Sequence, residues 1–474
     1  MKNQAFNPYL PSWEYVPDGE PHVFGGRVYI YGSHDRFNGC VFCMNDYVCW
    51  SAPENDLADW RYEGVIYKKT DDPMNADGRM CLYAPDVTRG ADGRYYLYYV
   101  LDKRAVVSVA VCDTPAGKYE FYGYVHYEDG TRLGERAGDE PQFDPAVLTE
   151  GSLTYLYTGF CMPEDRSRSG PMATVLGEDM LTVKKAPVFI MPSKPYGGGS
   201  GFEGHEFFEA ASIRRVGELY FFVYSSVAQH ELCYALCDSP AGKFTYGGVI
   251  VSSCDKHIDS YKPAAMEVGF AANNHGGIVN AAGQWYIFYH RHTNGSWFCR
   301  QGCAERIEIA ADGSVAQVEM TSCGLNPTPL RGEGTYPAYI ACNLFNVKNS
   351  SAGFVQLDCP AAPTAKISQE CRDGEEETGY IDAFVDGSVA GFKYFDCKGI
   401  TRVSVTTMGY IHGEIRVKTS IDGDPLGSIP VDSSNVPEEH SADIVIPDGV
   451  NALYFEHCGS GGGRFLSFAL KKSE

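Results

Sequence analysis

Long apolar segments are missing from this 474-residue sequence. No run reaches the roughly 18 apolar residues that a helix needs to cross a bilayer, so we expect no membrane-spanning segment and no membrane partner. The first ten residues, MKNQAFNPYL, also lack the apolar core of a secretory signal peptide. We therefore expect a cytoplasmic protein.

Positive charge is scarce as well. Lysine and arginine number 39 against 61 aspartates and glutamates, which gives a formal net charge of −22. Nucleic acids and anionic lipid surfaces both require a cationic patch, so we expect neither as a partner. Hydrophobic residues make up 44% of the chain and charged residues 21%, which is typical of a globular protein. A neutral or weakly charged substrate fits this composition better.

Paired cysteine motifs are nearly absent, although the chain has 17 cysteines. Their odd number and the missing leader favour reduced thiols over a disulfide framework. Cys40 and Cys43 form the single CxxC motif, and no second pair follows at the spacing of a zinc site. We expect buried or loop thiols there rather than metal ligands.

Helical periodicity is rare, and what recurs instead is a turn followed by an aromatic strand. The copies align on a tyrosine, and these tyrosines are spaced by 67, 59, 65 and 66 residues. Each unit is long enough for about four short antiparallel strands, which predicts an all-β fold with a five-bladed β-propeller. The aligned residues are Tyr29, Tyr96, Tyr155, Tyr220 and Tyr286.

Every copy also carries an ionisable residue ten or eleven positions before its tyrosine, at the start of the innermost strand. Because these strand starts converge on the propeller axis, the five side chains are expected to share one cavity. Gathered charges raise one another's pKa and are tolerated mainly where function needs them, although a single aspartate can also cap a turn. The residues are Asp18, Asp86, Asp144, Glu209 and His275.

Carboxyl groups on either side of a sugar can hydrolyse a glycosidic bond, one as a proton donor and the other as the base that activates water. Glu209 is the expected acid, because its apolar neighbours Phe207 and Phe208 favour the neutral form. Asp18 lies between Pro17 and Gly19, on a turn that leaves room for water. A third carboxylate near the acid would raise its pKa.

The residues in this register lie in motifs that resemble glycoside hydrolase family 43, whose five-bladed propellers cleave arabinose and xylose linkages with inversion. The matching pieces are spread over about the first 320 residues. They are Asn7-Pro8 and Leu10-Pro11, PDGEPHVFGGRVYIYGSHD (17–35), YAPDV (83–87), FDPAV (143–147), FFEAASIR (207–214), NNHGG (273–277) and FYHRHTNGSWFCRQG (288–302).

The resemblance implies that Asp18 is the general base, that Glu209 is the general acid, and that Asp86 raises the pKa of the acid and orients it. One departure leaves an alternative open. The family usually has Asp-Pro at the base, whereas here Asp18 precedes Gly19 and Glu20 precedes a proline. Glu20 is therefore the competing candidate.

Substrate and metal contacts follow from the same resemblance. Arg300 resembles an arginine that contacts the sugar, and His275 resembles the axial histidine that in many members ligates calcium directly or through water. No cofactor is required for the chemistry; a structural Ca²⁺ in the propeller channel is a candidate. Asp144 and Asp35 are candidate sugar-binding residues, and Asp35 fits a loop-capping role equally well.

The pattern changes after Asn326-Pro327-Thr328-Pro329. Seven or more alternating strands, among them FVQLD (354–358), predict a β-sandwich of the jelly-roll type. We expect a catalytic propeller over residues 1–325 and a sandwich over 335–474. Segments 379–396 and 451–463 resemble family 6 carbohydrate-binding modules, and the sequence leaves sugar binding and buttressing of the propeller as alternatives.

The expected activity is exo-acting, inverting hydrolysis of terminal α-L-arabinofuranosyl or β-D-xylosyl linkages in plant-derived oligosaccharides. The sequence does not choose between the two sugars or fix an oligomeric state. Two rival functions stay open: a non-catalytic sugar-binding propeller, and a retaining propeller enzyme of the invertase type. The Asn-Asp-Pro-Asn-Gly and Arg-Asp-Pro signatures of the second rival are absent.

Overall fold

The computed structural model describes residues 4–348, 365–370 and 379–472. Strands dominate these ranges, and the helical elements are short 3-10 turns. None of the described helices is long and apolar enough to cross a membrane. The predicted all-β class is confirmed, and the predicted strand at 354–358 lies outside the described residues.

Four sheets follow one another along the chain as four-stranded antiparallel meanders. The first two blades contain β1 (Glu20–Phe24), β2 (Arg27–Tyr31), β3 (Tyr47–Pro53), β4 (Arg61–Tyr67), β5 (Leu82–Arg89), β6 (Tyr95–Leu101), β7 (Ser108–Cys112) and β8 (Glu120–Tyr124). The next two contain β9 (Ala146–Glu150), β10 (Leu153–Thr158), β11 (Met172–Leu176), β12 (Val183–Phe189), β13 (Phe207–Val216), β14 (Leu219–Ser226), β15 (Glu231–Cys237) and β16 (Thr245–Ser252).

The fifth blade is a three-stranded sheet of β17 (Ile278–Ala281), β18 (Gln284–Arg291) and β19 (Gln301–Ile307). Each aligned tyrosine lies on the second strand of its blade. The first strands of neighbouring blades contact one another, since β1 contacts β5 and β17, and β9 contacts β5 and β13. They therefore surround an axis, and the predicted five-bladed propeller is confirmed.

The N-terminal segment closes the ring. Tyr9 donates its backbone N–H to Gly302 O at 3.2 Å. The side-chain amide of Asn7 bonds the backbone of Ala304 twice, as donor to the carbonyl at 2.9 Å and as acceptor from the N–H at 2.9 Å. This segment therefore covers the outer edge of β19, which would otherwise expose unpaired backbone groups.

Among the described residues, the C-terminal strands form one network of ten. The two longest pair with each other from Arg402↔Lys471 to Lys418↔Tyr454. Their inward side chains belong to a single apolar core that includes Phe392, Phe455 and Phe468. The strands are β20 (Leu330–Arg331), β21 (Gly334–Pro337), β22 (Asn343–Asn346), β23 (Lys366–Ser368), β24 (Tyr380–Val385), β25 (Ser388–Cys397), β26 (Arg402–Lys418), β27 (Gly427–Val431), β28 (Ser434–Asp443) and β29 (Gly449–Lys471).

Buried polar contacts join these strands to the propeller. Lys393 on β25 is fully buried, and its ammonium lies 3.2 Å from Asp255 Oδ2 and 3.0 Å from Glu319 Oε2. Ile367 on β23 donates to Thr293 O at 2.8 Å and accepts at 2.8 Å from the Asn294 amide. The C-terminal part thus braces the loop after β18, while its resemblance to a sugar-binding module stays a prediction.

Candidate active site

A cavity of about 370 Å³ opens where the innermost strands of the five blades begin. Four of the five residues in the predicted register line this cavity, and Arg300 on the loop before β19 joins them. Asp86 is the exception. The four are Asp18, Asp144, Glu209 and His275.

Unusual backbone geometry aims the three carboxylates. Asp18 has φ 55°, Asp144 has φ 44°, and Ala210, directly after Glu209, has φ 68°. The left-handed region is uncommon for residues other than glycine, and such conformations cluster at functional sites. The pairing of β13 with β14 also shifts register on both sides of Glu209. An irregularity of this kind re-aims a side chain, here into the cavity.

Asp18 is held as an ionised carboxylate. Its Oδ1 accepts from Arg300 Nη1 at 2.9 Å. Its backbone N–H lies 3.2 Å from His290 Nδ1, whose ring is fixed by a 2.8 Å contact between Nε2 and Asn273 O. Burial alone would raise the pKa of Asp18, but the Arg300 guanidinium together with His290 and His275 outweighs it and holds the pKa well below its ordinary value. The group can therefore accept a proton.

Arg300 is positioned by Asp35. Asp35 Oδ2 accepts from Arg300 Nε at 2.9 Å, and Oδ1 accepts from Nη2 at 3.0 Å, which is a bidentate pair. The backbone N–H of Cys43 adds a further bond to Oδ1 at 2.9 Å. Asp35 is fully buried and does not line the cavity, so the expectation that it binds sugar is wrong. Both oxygens of its carboxylate already accept hydrogen bonds from Arg300.

The pKa values of Glu209 and Asp144 are raised, whereas the pKa of Asp18 is lowered. Burial raises the pKa of Glu209, and the negative charge of Asp144 adds to this, so that it reaches about 8. The pKa of Asp144 is also raised, first by burial and then by Asp18. Asp144 Oδ2 accepts at 3.1 Å from the backbone N–H of Ala210, which ties it to the strand that carries Glu209. Glu209 is thus protonated at neutral pH while Asp18 is not.

Asp86 is not the third carboxylate of the cavity. Its Oδ1 lies 2.6 Å from His22 Nε2, and its Oδ2 accepts from the backbone N–H of Val147 at 2.8 Å. The residue is fully buried within β5 and pairs in register with Tyr98. Asp144 has the place beside the acid that was expected for Asp86. The sequence held a signal, because Asp86 alone stands ten rather than eleven positions before its tyrosine.

Glu20, the competing candidate for the base, also lies outside the cavity lining. Its Oε2 accepts from Ser212 Oγ at 3.0 Å and from Arg214 Nη2 at 2.8 Å. Both contacts hold the buried carboxylate below the cavity, at the propeller axis. The geometry therefore favours Asp18 over Glu20.

Carboxylates surround His275, the residue expected to ligate calcium directly or through water, and both His275 Nε2 and Glu20 Oε1 are buried without a hydrogen-bond partner among the described residues. Its Nε2 lies 3.7 Å from Glu20 Oε1, and its Nδ1 lies 3.8 Å from Asp144 Oδ2. Burial alone would lower the pKa of His275, but the neighbouring carboxylates of Glu20, Asp144 and Asp18 raise it to about 9. The Arg214 guanidinium already neutralises Glu20. Ca²⁺ prefers six to eight oxygen ligands, most of which water would have to supply here, and the calcium ion stays a prediction.

Aromatic side chains form most of the remaining wall. They offer flat apolar surfaces for the C–H faces of a sugar. The sequence analysis did not assign them to the site, although Phe143 and Phe208 directly precede Asp144 and Glu209. The wall consists of Phe42, Tyr83, Phe143, Phe160, Phe208, Trp297 and Phe298.

Comparisons with known proteins identify the family of the chain. The profile "Glycosyl hydrolases family 43" matches residues 16–315. A xylosidase/arabinosidase of Thermoclostridium stercorarium is 66% identical over 474 residues, covering 99% of this chain and 99% of the relative.

Two solved structures are similar to the chain. One is a family 43 β-xylosidase/α-arabinofuranosidase from a compost metagenome, in complex with xylotriose and calcium-free; it is 26% identical with a TM-score of 0.52 and covers 67% of this chain and 98% of that chain. The other is a family 43 arabinoxylan arabinofuranohydrolase from Bacillus subtilis in complex with cellotetraose. It has a TM-score of 0.53 at 20% identity, covers 98% of this chain and 97% of that chain, and supports the fold alone.

Proposed function

Because this chain belongs to family 43 of the glycosyl hydrolases, we propose that it removes terminal α-L-arabinofuranosyl or β-D-xylosyl units from oligosaccharides with inversion. The 66% identical relative is named a xylosidase/arabinosidase, which supports both sugars as substrates. Exo action, a cytoplasmic location and the preference between the two sugars stay predictions.

The observation that carries the proposal is the opposite pKa shift of two carboxyl groups in one cavity. Arg300 keeps Asp18 ionised, whereas burial and Asp144 keep Glu209 protonated. A pair of groups whose environments push their pKa values apart is the expected signature of a base and an acid. A sugar-binding propeller without activity would not need this difference.

The proposed reaction is a single displacement. Glu209 transfers its proton to the glycosidic oxygen as the bond to the anomeric carbon breaks. A water on the opposite face attacks that carbon and loses a proton to Asp18, so the sugar is released with inverted configuration. Glu209 then regains a proton and Asp18 loses one to solvent. Neither step is routed through a metal ion.

Proton NMR of the first-formed sugar tests this mechanism. A β-D-xyloside is expected to release α-xylose first, before mutarotation equilibrates the anomers. Initial release of β-xylose would contradict inversion and favour the retaining rival. A panel of aryl α-L-arabinofuranosides and β-D-xylosides, run in parallel, measures which sugar is preferred. No turnover on either series would favour the sugar-binding rival.

The Asp144→Asn variant is expected to move the basic limb of the pH profile of kcat/KM to lower pH. In the wild type this limb is expected near pH 8, where Glu209 loses its proton. Removing the negative charge of Asp144 makes ionisation of Glu209 easier, so the limb shifts down by about one unit or more. Initial rates across the alkaline range measure the shift.

Asp86→Asn is the matched control, because it also neutralises a buried aspartate of the same register. Asp86 lies outside the cavity lining and does not contribute to the raised pKa of Glu209. Its basic limb is expected at the wild-type position even if the variant is less stable. If the basic limb shifted in Asp86→Asn and not in Asp144→Asn, Asp86 would be the residue that orients the acid and raises its pKa.

A further inference from the structure

A second cluster of ionisable side chains lies on blade 4, outside the catalytic cavity lining. It centres on Glu231, the first residue of β15, which is fully buried. Three donors converge on one of its oxygens: His205 Nδ1 lies 2.6 Å from Oε1, Ser226 Oγ 2.5 Å and Cys233 Sγ 3.4 Å. The other oxygen, Oε2, is buried and has no hydrogen-bond partner among the described residues.

His257 faces this unsatisfied oxygen, and His230 lies close to the same carboxylate. His257 Nε2 lies 3.8 Å from Oε2. One ring nitrogen of His230, one carboxylate oxygen of Glu231 and one ring nitrogen of His257 all lie within 4.8 Å of one another. The 3.8 Å between His257 Nε2 and Oε2 exceeds a direct hydrogen bond, and it is short enough for both atoms to contact one ion about 2.0–2.2 Å from each.

Neighbouring side chains orient His230 and Glu231 through hydrogen bonds. The ring of His230 is buried beside Glu231. Ser252 Oγ lies 3.1 Å from His230 Nδ1 and orients the ring. The hydrogen bonds from His205 and Ser226 fix the orientation of the Glu231 carboxylate. Such outer partners are what a metal site requires.

We propose that His230, Glu231 and His257 bind a zinc ion or a similar divalent transition-metal cation, with water as the fourth ligand. Two imidazoles and a carboxylate are the donor set that Zn²⁺ accepts in tetrahedral geometry, whereas Ca²⁺ requires many more oxygens. The ion would satisfy the buried Oε2, which otherwise carries a desolvation cost. It can enter from solvent, because the side chain of His257 is 49% exposed.

The site would stabilise one side of the catalytic cavity without touching the reacting groups. His257 lies on the segment after β16, and His230 follows Gln229, which lines the cavity. The ion would thus tie the segment after β16 to the start of β15. Its loss is expected to lower the melting temperature rather than to change the pH profile of hydrolysis.

Isothermal titration of Zn²⁺ into the chelator-treated full chain, without a polyhistidine tag, tests the proposal. One saturable ion per chain is expected, together with a rise in Tm. The variant His257→Ala should weaken binding by more than the roughly 10- to 100-fold typical of losing an outer partner. His126→Ala removes a partly buried histidine elsewhere on the propeller and should bind zinc as the wild type does. Substitution with Co²⁺ should give the visible absorption of a tetrahedral site.

The proposal fails if the wild type binds no zinc saturably, or if His257→Ala and the wild type bind it equally. His257 would then be a simple ion-pair partner of Glu231. Loss of binding counts in favour only if His257→Ala keeps the wild-type Tm in the presence of chelator, which shows that its fold is intact. Hydrolysis of an aryl pentoside by the variant gives a second check on folding.

Discussion

Replacing Glu209 with glutamine is expected to reduce kcat/KM for xylo-oligosaccharides and alkyl pentosides by about 10²- to 10⁴-fold. Glutamine has nearly the same shape but cannot donate a proton to the departing oxygen. The loss should shrink for aryl glycosides whose phenol is acidic, because such a leaving group departs without protonation. A series of aryl pentosides of graded phenol pKa measures this dependence.

Glu203→Gln is the matched control for this experiment. Glu203 lies six residues earlier in the same segment, is exposed, and accepts a 2.6 Å bond from the backbone N–H of Gly199. Its substitution is expected to leave kcat/KM unchanged for every leaving group. An equal loss for all leaving groups in Glu209→Gln would contradict general-acid catalysis and assign the residue a binding role.

The propeller and its family could be predicted from the sequence because a repeated unit leaves a periodic trace. Five tyrosines at near-even intervals fall on the second strand of each blade. The register then placed four ionisable residues correctly around the cavity. The repeat can be recognised in the sequence because each hairpin forms from residues that are close together along the chain.

The register alone does not show whether Asp86 or Asp144 lies beside the acid Glu209. Asp86 lies inside β5, and Asp144 precedes β9 in a left-handed conformation. A shift of one position relative to the strand start changes the direction in which a side chain points. Long-range partners then fix the outcome, because His22 and Val147 take up the carboxylate of Asp86. Neither partner is visible as such in the sequence.

The roles of Asp35 and His275 were hidden for a related reason. Asp35 is 265 residues from Arg300 in sequence, and its bidentate pair forms only when blades 1 and 5 meet. The charge of His275 depends on carboxylates contributed by blades 1 and 3. A resemblance between motifs identifies such residues but not their protonation state, which is set by the sum of their neighbours.

Replacing Asp18 with asparagine is the second change with a large expected effect. The variant is expected to lose about 10²- to 10⁴-fold in kcat/KM for every leaving group, because activation of water is needed whatever departs. Asparagine tolerates the left-handed backbone at this position, where φ is 55°, better than alanine does. The substitution therefore removes the base with little change to the turn.

Azide separates loss of the base from loss of binding in Asp18→Asn. Azide is already a nucleophile, so it can attack the anomeric carbon without giving a proton to residue 18. Added azide is expected to restore turnover of an activated aryl pentoside and to yield a glycosyl azide of inverted configuration. Glu20→Gln is the control, since glutamine can still accept from Ser212 and Arg214 at the propeller axis. If azide rescued Glu20→Gln and not Asp18→Asn, the base would be Glu20, and the Arg300 pair with Asp18 would serve only to orient the arginine.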